Sequence, residues 1–137
     1  MLIKISYGAD VRTYGCNKKN LSSDYLEKIE QRLNGGSGVV IEHKDFESLI
    51  LVYDRPKALF YCDPPYHKTE KYYDAVFTKD DHERLNTCLK ALKGRFILSY
   101  NDDEYIRQLY RDFSIIPVQR QNNLSKGMFN ELIIKNF

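Results

Sequence analysis

Four consecutive residues, Asp63-Pro64-Pro65-Tyr66, carry the chemistry that this sequence offers most clearly. They follow the apolar stretch ALFYC (residues 58–62), which is typical of a buried strand. Neither proline can donate a ladder hydrogen bond, so the strand ends there and the chain leaves the sheet as a stiff corner. A carboxylate and a proline carbonyl can accept from an amino group, and a tyrosine ring can lie over a flat heterocycle. The corner therefore indicates a site for a ring with an exocyclic amine, such as a nucleobase.

A base inside a duplex is out of reach of such a corner, so it would have to be flipped out of the stack. Acceptors that localise the lone pair on the amine would make it a nucleophile, and a methyl sulfonium is a suitable electrophile. The alternative interpretation is a plain turn. From average residue usage, this tetrapeptide arises by chance in on the order of one in a thousand chains of this length. The preceding strand and following helix make chance rarer still, so we favour the chemical interpretation.

The composition is that of one globular domain, with 137 residues, 42% of them hydrophobic and 29% charged. A net charge of +2 does not by itself indicate a nucleic-acid partner, whereas eleven tyrosines without a tryptophan favour a ligand-facing surface. The sequence has no apolar run of membrane-spanning length and no signal peptide. Its three cysteines and three histidines show no metal-ligand spacing. We expect a cytoplasmic protein with free thiols and no metal.

Strands and helices alternate around the corner. Helices are predicted at 21–34, 45–53, 78–93 and 102–111, the last capped by Asn101, and strands at 39–42, 58–62, 95–100, 114–119 and 131–137. Pro117 predicts an edge or a bend in its strand. The alternation predicts an α/β fold with a mostly parallel sheet and helices on both faces. Ligands bind at the carboxyl ends of strands in such sheets, where both the corner and EHKDF (residues 42–46) lie.

These segments resemble the Dam-like group of S-adenosylmethionine-dependent adenine-N6 DNA methyltransferases, which includes enzymes of restriction-modification. ALFYCDPPY is similar to their catalytic motif, VVIEHKDFESLI to the segment upstream of it, and YYDAVFTKDDHERL to the loop and helix after it. FILSYND and NELIIKNF resemble later strands, and SYGADVRTYG resembles the stretch after their cofactor-binding half. The resemblance implies a partial Rossmann-like methyltransferase sheet and direct methyl transfer from S-adenosylmethionine to a flipped adenine in DNA.

The resemblance also implies roles for individual residues. Asp63 and Pro64 of the motif, which Pro65 and Tyr66 complete, would accept from the adenine amine, and Tyr66 would stack on the base. Asp45, Phe46 and Asp63 would border the cofactor. Phe77 and Tyr72 or Tyr73 would belong to a loop over the base, and the residues expected to face phosphate are His67, Lys68, Lys71, Arg120 and Lys126. Simple solvation is an equally good interpretation of the loop lysines.

The glycine-rich cofactor motif of that family is missing from the sequence. Gly35-Gly36-Ser37-Gly38 follows a predicted helix and precedes a predicted strand, so it is interpreted as a helix stop and linker. We expect residues 1–137 to form a single catalytic-domain fragment, with 8–38 as a reduced DNA-recognition or linker region and 39–137 as the catalytic half. An exposed parallel edge where strands are missing predicts a second chain or a homodimer.

Three rival functions are weighed against this interpretation. A methyltransferase of RNA or protein amines is the nearest enzymatic rival, but those families more often carry Asn at the position of Asp63. Cysteine-nucleophile chemistry is disfavoured because Cys62 is expected to be a core thiol. A non-catalytic nucleic-acid-binding or assembly module derived from this fold is the alternative from a different class.

Overall fold

The computed structural model describes residues 2–6, 42–68, 77–121 and 128–137. The predicted helix 21–34, nearly all of the predicted strand 39–42 and the region 8–38 lie outside these ranges. The described elements are β1 (Leu2–Ser6), α1 (Phe46–Tyr53), β2 (Leu59–Asp63), α2 (Lys79–Lys90), β3 (Arg95–Asn101), α3 (Glu104–Leu109), β4 (Ser114–Gln121) and β5 (Met128–Lys135). None of the helices in these ranges is long and apolar enough to cross a membrane.

The five strands form one sheet in the order β1-β2-β3-β5-β4. The β1–β2 and β2–β3 pairs are parallel, whereas β5 pairs antiparallel with both β3 and β4. The α/β class is confirmed, but a mostly parallel sheet is not, because half of the described pairs are antiparallel. Only residues 122–127 join β4 to β5, and a parallel crossover needs a dozen or more residues. Strand β1 was not among the strands predicted from the sequence.

The core lies against one face of the sheet. Side chains alternate between the faces of a strand, and paired residues share a face. Phe60 pairs with Phe96 and Leu98 pairs with Ile134, and all four are 0% exposed. The described helices add to this same cluster the buried residues Phe46, Ile50, Leu85, Leu89 and Ile106. All three helices thus contribute to one core cluster, and a helix layer on the other face stays a prediction.

Each helix begins at a polar cap that the sequence supplies. Asp45 accepts from the Glu47 N–H at the start of α1, and Thr78 with Asp81 forms the predicted capping box of α2. The cap of α3 is Asp103, whose carboxylate accepts from the Tyr105 N–H at 2.9 Å. The prediction of Asn101 as this cap was wrong, because β3 runs on through Asn101.

Strand β4 lies at an edge of the sheet, as Pro117 predicted. Pro117 pairs with Leu132 in the register with β5. Because proline has no N–H, a proline on an edge strand hinders pairing with a further strand.

Candidate active site

The corner sits where β2 leaves the sheet. β2 ends at Asp63, which stands opposite Ser6 in the parallel register with β1. Pro64 and Pro65 follow without regular structure and are both buried. The two prolines therefore end the strand as predicted, and they place Asp63 at its carboxyl end.

The Asp63 carboxylate is held by the neighbouring strand. Ser99 of β3 is 5% exposed, and its hydroxyl donates to Asp63 Oδ1 at 2.9 Å. In the described part of the chain, no partner is seen for Asp63 Oδ2. Asp63 thus has one oriented oxygen and a second that can accept from a ligand.

Tyr66 is fixed by residues of the adjacent antiparallel strands, which we call the tyrosine cluster: Tyr66, Tyr100, Phe129 and Glu131. The Tyr66 hydroxyl donates to Glu131 Oε1 at 3.0 Å. The Tyr66 ring stacks with Phe129 at a centroid distance of 6.1 Å and an interplanar angle of 9°. It also lies 6.2 Å from the ring of Tyr100.

Tyr100 extends this cluster into the core. Its hydroxyl is 2.6 Å from His82 Nδ1, and both side chains are fully buried. Burial raises the pKa of Tyr100 well above its ordinary value, so the phenol stays neutral. The side chains of Tyr100 and His82, which continue the tyrosine cluster into the core, are therefore both aromatic and hydrogen-bonded to each other.

The two residues after Tyr66 are joined to the start of α3. His67 Nδ1 lies 2.9 Å from Asp103 Oδ1, and Lys68 Nζ donates to Asp103 Oδ2 at 2.7 Å. Asn101 Nδ2 donates to the His67 carbonyl at 3.1 Å. Burial would raise the pKa of Asp103, but hydrogen bonds from Lys68, the Tyr105 N–H and His67 outweigh it and lower that pKa. These contacts hold Lys68 in a left-handed backbone conformation with φ of 67°.

On the other side of the corner lies a small cleft of about 220 Å³, a volume that includes space open to solvent. Its lining residues are Ile5, Phe46, Cys62, Asp63, Pro64, Phe77 and Leu85. The walls are apolar, two aromatic rings 6.1 Å apart belong to them, and Asp63 is the charged group of the lining.

The start of α1 is tied to α2 by the arginine cluster, which consists of Asp45, Phe46, Glu47, Asp81 and Arg84. Arg84 donates to both carboxylate oxygens of Asp45 at 3.0 Å, to Asp81 at 2.9 Å and to Glu47 at 3.3 Å. Its guanidinium also lies 4.3 Å from the centre of the Phe46 ring. One cation thus orders Asp45 and Phe46, two of the three residues that were predicted to border the cofactor.

A family model for D12 class N6 adenine-specific DNA methyltransferases matches residues 7–124, which is most of the chain and includes the corner. The chain belongs to this family. A search among curated proteins gave no match. The predicted enzyme class is confirmed: D12 methyltransferases transfer a methyl group from S-adenosylmethionine to N6 of adenine in DNA. The family does not favour a non-catalytic module.

The structure brings together most of the described residues that were predicted for the D12 site. Asp63, Pro64, Pro65 and Tyr66 form the corner, while Asp45, Phe46 and Phe77 lie on its cleft side. Phe77 is 2% exposed, so it is a core residue as well as part of the cleft wall. Lys71, Tyr72, Tyr73 and Lys126 lie outside the described residues, and Arg120 is described only as backbone in β4.

Cys62 is a core thiol, as the sequence analysis expected. It is 1% exposed, and burial, followed by the charge of Asp63, raises its pKa to about 12. A thiol with this pKa is protonated at neutral pH and is a poor nucleophile. The described ranges contain no group of three or more His, Cys, Asp or Glu side chains that could hold a metal ion.

Sequence reasoning missed three residues that contact the predicted site residues: Arg84, Ser99 and Glu131. Ser99 of β3 and Glu131 of β5 are polar residues that are buried, at 5% and 7% exposure. A polar side chain in a buried strand needs a partner, and this is the signal that could have found them. Arg84 gave no such signal, because an arginine on a helix is ordinarily solvated.

Proposed function

We propose that the corner of this D12 chain is the active site for adenine-N6 methylation, with Asp63 and Pro64 binding the amine and Tyr66 the base. The observation that carries the proposal is the joint support of two motif side chains, Asp63 by Ser99 and Tyr66 by Glu131. An oriented carboxylate beside an anchored aromatic ring suits an amine and its ring plane at the same time. Preorganised groups of this kind act without reorganising when substrate arrives.

Asp63 Oδ2 and the Pro64 carbonyl accept hydrogen bonds from the adenine amine in this mechanism. These bonds hold the amino protons and localise the nitrogen lone pair, so that N6 is the nucleophile. S-adenosylmethionine would supply the electrophile, a methyl group on a sulfonium whose sulfur leaves as a neutral thioether when the carbon–sulfur bond breaks. The proton lost from N6 is held at Asp63 Oδ2 before it passes to solvent. Cys62 takes no part, because its thiol is buried and protonated.

Tyr66 stacks on the flipped base, an interaction worth about 1–3 kcal/mol. Phe46 and Asp63 would hold the cofactor, since an aromatic wall suits its adenosine and a carboxylate suits its cationic part. Phe77, which the sequence analysis assigned to the loop over the base, lies in the same cleft wall and would border the cofactor as well. Asp45 would act on the same side with Arg84 fixing its carboxylate. The cleft is small, and its volume of about 220 Å³ includes space open to solvent. Cofactor binding by these residues therefore requires the cleft to widen or to be bordered by further residues.

DNA phosphates are proposed to contact His67, Lys68, Lys71, Arg120 and Lys126, with Tyr73 over the base. Lys68 supports this role because it is 72% exposed, although Asp103 already pairs with it. The same proposal includes four further points. The enzyme is site-specific and belongs to restriction-modification, its Rossmann-like sheet carries helices on both faces, a second chain or a homodimer completes the fold, and the protein is cytoplasmic. Residues 8–38 would then form the reduced recognition region.

Substitution of the corner tests the proposal directly. Asp63→Ala and Tyr66→Ala should each abolish transfer of labelled methyl from S-adenosylmethionine to DNA that lacks N6-methyladenine, while a cooperative thermal unfolding transition shows that the variant chains still fold. Asp112→Ala is the matched control, because Asp112 is 55% exposed and pairs with Lys90 on the surface. Calorimetric titration with S-adenosylmethionine should also give binding that Asp63→Ala weakens.

A different result would favour the non-catalytic module. That interpretation requires DNA binding that is indifferent to S-adenosylmethionine and unchanged by Asp63→Ala. Methyl transfer that survives Asp63→Ala would remove the corner from the mechanism.

A further inference from the structure

Glu131 is a buried carboxylate beside the corner. It is 7% exposed, and in the register of β3 with β5 it pairs with Asn101. A buried carboxylate is costly unless hydrogen bonds compensate it. The Tyr66 hydroxyl supplies one such bond, at 3.0 Å from Glu131 Oε1. This contact joins residues 65 positions apart in the chain.

The same strand also places a ring beside Tyr66. Phe129 precedes Glu131 by two residues and so lies on the same face of β5. The rings of Phe129 and Tyr66 are nearly parallel, with an interplanar angle of 9°. Strand β5 therefore fixes the position of the Tyr66 hydroxyl through Glu131 and the plane of the Tyr66 ring through Phe129.

We propose that Glu131 is a positioning residue, which holds the Tyr66 ring in the orientation that stacks on the flipped base. This inference rests on the proposed function and deepens it. The hydrogen bond to Glu131 and the stacked ring of Phe129 together restrict the two side-chain torsions of Tyr66 before DNA binds. Glu131 and Phe129 both lie beyond residue 124, where the family match ends.

Three variants test the inference. Glu131→Leu removes the acceptor and keeps a buried side chain, Glu131→Gln keeps an acceptor oxygen, and Tyr66→Phe removes only the hydroxyl. The first readout needs no activity: ring resonances of isotope-labelled tyrosine, with those of Tyr66 assigned by their loss in Tyr66→Phe. Glu131→Leu should shift or broaden the Tyr66 resonances, and Glu131→Gln should leave them near the wild-type positions.

The second readout is methyl transfer to DNA that lacks N6-methyladenine. A misplaced reacting group can reduce turnover by on the order of 100-fold, and a loss of this order in kcat/KM is expected for Glu131→Leu. Glu131→Gln should retain most of the activity. If Glu131 acts through the Tyr66 hydroxyl, Glu131→Leu combined with Tyr66→Phe should be no worse than Glu131→Leu alone.

Unchanged Tyr66 resonances in Glu131→Leu would overturn the inference, and so would defects of Glu131→Leu and Tyr66→Phe that add in full. A wild-type chain that transfers no methyl would count against the proposed function instead. The resonance measurement would still decide the role of Glu131 in that case.

Discussion

The arginine cluster and the tyrosine cluster flank the same corner but are built in opposite ways. In the arginine cluster, three carboxylates share one guanidinium, and the side chains of Arg84, Asp45 and Glu47 are 37%, 42% and 45% exposed. In the tyrosine cluster, Tyr100 is fully buried and Glu131 nearly so, and the Tyr66 hydroxyl donates to Glu131 Oε1 at 3.0 Å. The arginine cluster is thus the more exposed and the more highly charged of the two, while the tyrosine cluster is more buried and largely aromatic.

The two clusters therefore differ in how easily their side chains can rearrange. Exposed ion pairs contribute about 0–1 kcal/mol, so Arg84 can exchange one carboxylate for another at little cost. A buried polar group that loses its partner costs about 1–3 kcal/mol, so the groups around Tyr66 are held in one arrangement. The arginine cluster can therefore rearrange around a ligand, whereas the tyrosine cluster keeps one arrangement.

The largest expected effect on stability is at the base of the tyrosine cluster. Tyr100→Phe leaves His82 Nδ1 without its 2.6 Å partner inside the core and should lower the free energy of unfolding by about 1–3 kcal/mol. Tyr105→Phe is the matched control, because its hydroxyl makes an exposed 3.3 Å hydrogen bond to Glu83 and its loss should cost under about 0.5 kcal/mol. Urea unfolding of both variants measures the difference. Equal losses of unfolding free energy in the two variants would contradict the distinction between buried and exposed hydrogen bonds.

An intermediate effect is expected at Asp103, which connects the corner to α3. Asp103→Asn keeps a good helix cap but loses the charge that pairs with His67 and Lys68, at an expected cost of about 1 kcal/mol at pH 7. Because folding lowers the pKa of Asp103, its contribution is complete above the unfolded pKa of about 3.9 and is lost as pH falls through the lower folded pKa.

Unfolding free energies of wild type and Asp103→Asn, measured from pH 7 down to acid, check this sign. The difference between them should shrink as pH falls below about 4. A difference that instead grows below about pH 4 would mean that the Asp103 pKa is raised in the folded state.

The smallest effect on stability is expected in the arginine cluster. Arg84→Gln should change the free energy of unfolding by no more than about 1 kcal/mol, and less at high salt. It should weaken S-adenosylmethionine binding about tenfold, which corresponds to about 1.4 kcal/mol, because Asp45 and Phe46 lose their common neighbour. Calorimetry at two salt concentrations measures both quantities.

Arg107→Gln is the matched control for Arg84→Gln. Arg107 is 39% exposed and pairs with Asp102 at 2.6 Å, but it lies in α3 and outside the arginine cluster. It should have the same small effect on stability and none on cofactor affinity. An equal loss of affinity in both variants would show that Arg84 has no specific part in ordering Asp45.

The sequence by itself determined the local features of this protein. The two prolines end β2 and create the corner, Thr78 and Asp81 cap α2, and alternating apolar patterns predicted most of the described elements. Each of these depends on residues within a few positions of each other, so a single pass along the chain finds them. The motif and its neighbours were also enough to identify the family.

Only the tertiary structure decided which side chains support the site. Ser99 reaches Asp63 across 36 positions, Arg84 reaches Asp45 across 39, and Glu131 reaches Tyr66 across 65. The two-residue period of a strand tells which side chains share a face, but it does not tell which strands are neighbours. The strand order β3-β5-β4 settles that question. Because it puts β5 beside β3, it brings Glu131 and Phe129 to Tyr66.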